Sequence, residues 1–252
     1  MYKIKDRLRA GTVHLFISLL VAIFAALVVL LIWYPYPYSE ISGGRELFML
    51  MVAVDVVIGP LITLVIFNRS KPRCEFLLDF TLIGLLQLVA LSYGLWTVYV
   101  ARPVYLVFEY HRMAVVHAAD VDSKMLKQAL PNLQILPIAG PALLSLRPFK
   151  DSREQIESTV MALNGLPQAA QPALWQTWSA ARADILKESH PIAQLNERFG
   201  TQVELINSAI ATTGRPVELL RYLPLVGRKQ GWTVLIDGES AEPVGFLPLD
   251  SF

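Results

Sequence analysis

Two apolar runs, His14 to Trp33 and Leu47 to Phe67, stand on either side of the stretch Tyr34-Pro-Tyr-Pro-Tyr38. Each has about the 20 residues that a helix needs to cross a bilayer. Trp33, Tyr34, Tyr36 and Tyr38 cluster at the end of the first run, in the manner of an interfacial aromatic belt. Pro35 and Pro37 carry no N–H, so the helix is expected to stop where water can take over its backbone groups. Gly43 and Gly44 complete the predicted interfacial loop. A third apolar run, Phe76 to Val100, ends in a second aromatic group of Tyr93, Trp96 and Tyr99.

The chain has 252 residues, 54% of them hydrophobic, and a mean hydropathy of +0.45. That average is too apolar for an ordinary soluble protein. The excess lies before Ala101, so the expected organisation is a three-span membrane domain over 1–101 and a soluble domain over 102–252. The spans are expected at about 13–33, 47–67 and 76–100. A net charge of +1 gives no electrostatic case for nucleic acid.

Orientation follows from the basic residues in the short flanks. The N-terminal tail carries Lys3, Lys5, Arg7 and Arg9, and the loop between spans two and three carries Arg69, Lys71 and Arg73. The first loop carries only Arg45, beside Glu40 and Glu46. The N-terminus is therefore expected in the cytoplasm and everything after Arg102 on the far side. The first run is too long for a secretory signal and has no small-residue cleavage site before Tyr34. The sequon Asn68-Arg-Ser70 would be inert on the cytoplasmic face. Cys74 is the only cysteine, so a far-side domain must be held by its core and not by disulfides.

The soluble part reads as α+β. Val104 to Phe108 and Met113 to Ala118 are expected to form a hairpin around Tyr110-His-Arg112. Asp122 is placed to cap a short helix through Leu130, and Leu133 to Leu136 and Leu143 to Leu146 as short strands. Asp151-Ser-Arg-Glu154 begins a helix to Leu163. Helices are then expected over Pro172 to Lys187, Ile192 to Arg198 and Val203 to Ala211. Three closing strands, Leu219 to Leu225, Trp232 to Ile236 and Val244 to Leu247, could share a sheet with the first hairpin.

No enzyme signature is present: no phosphate-cradling glycine loop, nucleophile elbow or paired-cysteine metal site. His14, His111, His117 and His190 are scattered, and His111 with His117 would lack a third metal ligand. No catalytic residue, cofactor or metal is expected. Asp55 is the sharpest single residue, about 12 Å along span two from Leu47. An acid at that depth is costly unless it is paired, protonated or facing a polar interior. It reads either as a docking or proton-handling site or as a carboxyl satisfied inside the bundle, with Gln87 as the partner. Gly59-Pro60 follows one turn on, and Pro60 removes the hydrogen bond to the Val56 carbonyl and can kink the helix. Gly59 and Gly84 would let helices approach closely. Trp175 and Trp178, three apart on the expected helix, would share a face, either as core or as a contact surface.

Several of these residues carry a resemblance. Tyr34-Pro-Tyr-Pro-Tyr38, Gly43-Gly44, Val54-Asp-Val56, Gly59-Pro-Leu-Ile-Thr63, Phe67-Asn68 and Lys71 resemble the TfpX/TfpZ-type type IV pilin accessory proteins. So do Gly94-Leu-Trp96, Ala101-Arg-Pro103, Val107-Phe-Glu109, Trp232-Thr-Val-Leu235 and Gly245-Phe-Leu-Pro-Leu-Asp250. The resemblance implies a bacterial inner-membrane protein with a periplasmic C-terminal domain. It also implies a chaperone-like role in pilus assembly, with a cognate type IV pilin, the pilus assembly machinery and the lipid bilayer as partners and no catalysis. Two alternatives are a membrane-anchored sensor that binds a small ligand in its periplasmic domain and a general structural subunit of the pilus machine.

Overall fold

Backbone hydrogen bonds inside a bilayer must be closed locally, and the apolar runs fold accordingly. The structure, a computed structural model, describes residues 2–67 and 72–252. Asn68, Arg69, Ser70 and Lys71, with the sequon and two of the loop cations, lie outside the described residues. Helix α1 (Tyr2–Leu27) runs on through a π-helical turn (Val28–Trp33). It begins well before the apolar run, because the basic tail continues the same helix. A short helix, α2 (Tyr38–Ile41), follows the Tyr-Pro segment. The second span is α3 (Gly44–Ala53), a π-helical turn (Val54–Ile58) and α4 (Gly59–Ile66). The third is α5 (Arg73–Val100). All three are long and apolar enough to cross a membrane.

The chain divides into two units. One comprises residues 1–39 and 43–101; the other comprises 40–42 and 102–252.

In the first unit, Ala25, Val29, Tyr34, Phe48, Met51 and Val98 form a buried cluster. Tyr34 was expected in an interfacial belt, yet it is fully buried and its hydroxyl donates to the Val98 carbonyl at 3.1 Å. A Cβ on Gly44 would sit 2.2 Å from the Tyr34 ring, so only glycine lets the second span start there. Gly43, just before it, has φ +69°, which suits glycine. Tyr36 is exposed. Trp33 meets Tyr99 edge-on at 5.1 Å.

The second unit is a mixed sheet flanked by helices. Strands β1 (Pro103–Glu109) and β2 (Arg112–His117) form the expected hairpin. They are joined in sequence order by β3 (Ala142–Leu146), β4 (Trp175–Thr177), β5 (His190–Pro191), β6 (Leu220–Val226), β7 (Gly231–Asp237) and β8 (Pro243–Leu247). The spatial order is β4-β3-β1-β2-β6-β7-β8, with β5 paired to β6. The first and last strands do share one sheet, through the parallel contact of Met113 with Leu225. The helices are α6 (Ser152–Leu163), α7 (Arg182–Glu188), α8 (Ile192–Arg198) and α9 (Val203–Thr213). One core cluster gathers Val107, Leu144, Leu174 and Trp175; another gathers Leu195, Ile206, Leu220 and Leu235.

Three expectations fail locally. Between Asp122 and Leu130 there is a 3₁₀ turn (Met125–Gln128) and no α-helix, with Asp122 accepting from the Lys124 N–H instead of capping a longer run. Leu133 to Leu136 forms no strand, since Pro131 opens a 3₁₀ turn there. The helix expected from Pro172 to Lys187 is broken into 3₁₀ turns, strand β4 and α7. Pairing with β3 and burial of Trp175 outweigh the helical preference of this stretch.

Candidate functional site

Polar side chains within a span mark a site when they converge, because the alternative is an unsatisfied group in hydrocarbon. Three side chains from three spans converge here, beside the main chain of Asp55. His14 of α1 lies with Nδ1 2.5 Å from Thr63 Oγ1 and with Nε2 2.6 Å from Gln87 Oε1. The carbonyl oxygen of Gln87 only accepts, so Nε2–H donates to it. Nδ1 shares a hydrogen bond with the Thr63 hydroxyl. The imidazole thus ties the three spans together, with both ring nitrogens within hydrogen-bond distance of a partner. The amide nitrogen of Gln87 points the other way and donates to the Asp55 backbone carbonyl at 3.5 Å, the long limit of a hydrogen bond.

Gln87 therefore meets the Asp55 main chain and not its carboxyl, contrary to the expected pairing. Both Asp55 carboxylate oxygens are shielded from solvent and accept no hydrogen bond among the described residues. Asp55 lies in the π-helical turn that precedes Pro60. The wider turn absorbs the missing N–H of the proline, which sits at the start of α4, so the span continues.

The two candidate glycines have different surroundings. A Cβ at Gly59 would lie 1.6 Å from Gln87 Nε2, so this glycine is occupied inside the bundle. A Cβ at Gly84 would meet nothing within 4 Å. We expect Gly59→Ala to push Gln87 away and leave His14 without its acceptor. The cost should be about 1–3 kcal/mol, for a buried polar group losing its partner. Gly84→Ala should stay within about 0.5 kcal/mol. Thermal aggregation of the two purified variants in detergent distinguishes them, and equal effects would contradict the arrangement.

Two cavities flank the cluster. One of about 790 Å³ is lined by Arg9, Val13, Thr63, Phe67, Phe80 and others. A second of about 180 Å³ is lined by Asp55, Val21, Val52 and Leu88 among others. His14, Ile17, Gly84 and Gln87 line both.

In the second unit, Trp175 and Trp178 do not share a helical face. Trp175 is core: it is 3% exposed on β4, packs edge-on to Tyr105 at 5.0 Å, and its indole N–H donates to the Ala169 carbonyl at 2.9 Å. Trp178 follows on a 3₁₀ turn, half-buried. The apolar surface that the sequence reading missed lies on α6. Ile156, Val160 and Leu163, spaced four and three apart, form one exposed stripe, with Leu163 84% exposed. The helix instead buries Ser158. Asp151 accepts from the Glu154 N–H at 2.8 Å and caps it. Arg147 donates to both oxygens of Glu154, at 2.9 and 2.6 Å, and the Lys150 N–H donates at 2.6 Å. The guanidinium, then that backbone N–H, hold the Glu154 carboxyl down at about 2. The spacing of the stripe was readable in the sequence; its outward direction was not.

Among the described residues no group of three His, Cys, Asp or Glu is placed to hold a metal ion. His117 instead pairs with Asp120 at 3.0 Å.

A family model described as "Fimbrial assembly protein FimB" matches residues 2–43. The chain is 36% identical to "Fimbrial assembly protein, serogroup I" of Dichelobacter nodosus over 227 residues, 89% of this chain and 88% of that protein. It is 34% identical, over the same length and shares, to the serogroup E1 protein of that organism. A shorter relative, for serogroups C1 and C2, is 39% identical over 117 residues, 46% of this chain and 89% of that protein. No solved structure matches the chain. The relatives agree with the resemblance carried by the Tyr-Pro and Gly-Pro motifs.

Proposed function

This chain belongs to the fimbrial assembly protein family and has a role in pilus biogenesis, and we propose that within it the chain is an inner-membrane factor that binds a cognate type IV pilin. The observation that carries the reading is the covalent pairing of a three-span membrane unit with a folded domain that presents an apolar stripe. A pilin awaiting assembly has one helix in the same membrane and a head outside it. A protein with both kinds of surface can hold both parts. Two modest contacts joined in one chain gain from effective concentration.

In this reading residues 1–101 are the membrane domain and residues 102–252 the periplasmic domain, with the N-terminus in the cytoplasm. The Lys and Arg excess in the tail and the second loop supports that orientation. The role is binding and not catalysis, which the sequence supports by holding none of the nucleophile, phosphate-loop or metal motifs.

The test combines topology with phenotype. A periplasm-active reporter fused after Phe252 should be active, and one after Lys71 silent. Deleting the chain should abolish or sharply lower surface pili while the pilin is still synthesised. The opposite reporter pattern would end the reading, since the soluble domain could not then meet a pilin head. Full piliation without the chain would end it as well.

A further inference from the structure

We propose that the cleft between the first and third spans is the seat for a partner's single transmembrane helix, which brings a hydrogen-bond donor to Asp55 at mid-bilayer depth. The proposal rests on the pilin-binding reading only for the identity of that partner.

The two cavities share four lining residues, so they form one cleft along the spans. Val13 and Ile17 lie on one wall and Phe80 and Leu88 on the other; the second span, with Thr63 and Asp55, is the floor. The hydrogen bond from His14 to Gln87 crosses that floor. Beyond it the smaller cavity, about 180 Å³, is lined by Asp55 and has room for a side chain; the Asp55 carboxyl oxygens are shielded in the unoccupied cleft, so the carboxyl turns toward the cavity when the donor arrives.

Two independent observations select a helix as the occupant. The first is the carboxyl. Asp55 is eleven residues from each end of the span Gly44–Ile66 (55 − 44 and 66 − 55), roughly 16 Å either way at 1.5 Å per residue. Only acyl chains reach that depth from the lipid, and they have no donor. Both carboxylate oxygens nevertheless lack a partner among the described residues. A helix carrying a polar or basic side chain at its middle would supply one. The second is Gly84. Gly11, Gly44, Gly59 and Gly94 all close onto atoms of their own chain, with contacts under 4 Å. Gly84 lines both cavities and faces nothing. A glycine on an open wall lets a second backbone come close. The His14, Thr63 and Gln87 bonds meanwhile tie the three spans to one another without the partner.

The test uses the full chain in native membranes, expressed with the pilin of its own bacterium. A photo-crosslinking benzoylphenylalanine replaces Ile17 or Leu88 in the cleft, and Leu82 or Leu86, exposed on span three away from it. Pilin adducts are expected from the first pair and not from the second. Gly84→Leu should lower the adduct at least about tenfold, with the level of the chain unchanged, because a Cβ there meets nothing within 4 Å and the rest of the side chain enters the open cleft. Equal adducts from all four positions would overturn the proposal. So would adducts with lipid alone or with a second copy of this chain. If pilin co-purifies with the chain but the cleft positions form no adduct, the cleft proposal fails and the pilin reading stands. If the adduct is cleft-specific, lost in Gly84→Leu and identified by mass as another single-span protein, the cleft proposal stands and the pilin reading fails. Neither adduct nor co-purification would overturn both.

Discussion

Exchanging residues 102–252 for those of a relative that serves another pilin should transfer pilin preference, while exchanging the three spans should not. An apolar membrane helix offers few features by which one partner differs from another. A folded head offers many, and preference is a difference between two contact free energies. A change of about 10- to 100-fold in relative binding corresponds to about 1.4–2.8 kcal/mol, within reach of a few contacts. The candidate contacts lie on α6, where Ile156, Val160 and Leu163 are exposed together. Replacing these three with serine should weaken capture of the pilin head without unfolding the domain, because α6 buries Ser158 and not the stripe. The measurement is pilin co-purification by each chimera in a strain making both pilins. If the spans carry the preference, recognition takes place in the bilayer and the C-terminal domain has another task.

Tyr34→Ala should be the most damaging single substitution in the membrane unit. The ring is fully buried among Val29, Phe48 and Met51, and its hydroxyl reaches the third span at Val98. Removing a buried aromatic leaves a cavity and costs about 3–5 kcal/mol. Tyr34→Phe keeps the ring and loses the bond to the Val98 carbonyl, about 1 kcal/mol. The steady-state level of the chain in membranes should therefore fall sharply for alanine and little for phenylalanine. Thermal aggregation in detergent should rank the variants in the same order. Equal levels for wild type and alanine would show that the Tyr-Pro segment is only a surface belt, as its sequence suggests.

That contrast shows where sequence reasoning reaches its limit. A span must close its hydrogen bonds within itself, so length and apolarity are enough to find three of them in this chain. The hairpin of β1 and β2 and the Asp151 cap of α6 are also local: alternation and a short polar side chain specify them within a few residues. The pilus family was legible for a related reason, since its motifs are short strings in a set order. Contacts between distant residues were not legible. His14 meets Thr63 and Gln87 across sequence separations of 49 and 73, and no local pattern distinguishes it from the other scattered histidines. Asp55 was visible as an acid in a span, but its lack of a partner depends on where the Gln87 amide points. Trp175 sits in a stretch with helical character and became a strand because β3 offers it an edge and Tyr105 a packing partner. Local demands thus determined the three spans, the first hairpin and the capped start of α6, and motifs in a set order determined the family. Only the tertiary structure decided which polar group is satisfied, which glycine is open and which apolar face stays bare, because each depends on an element brought in from elsewhere in the chain.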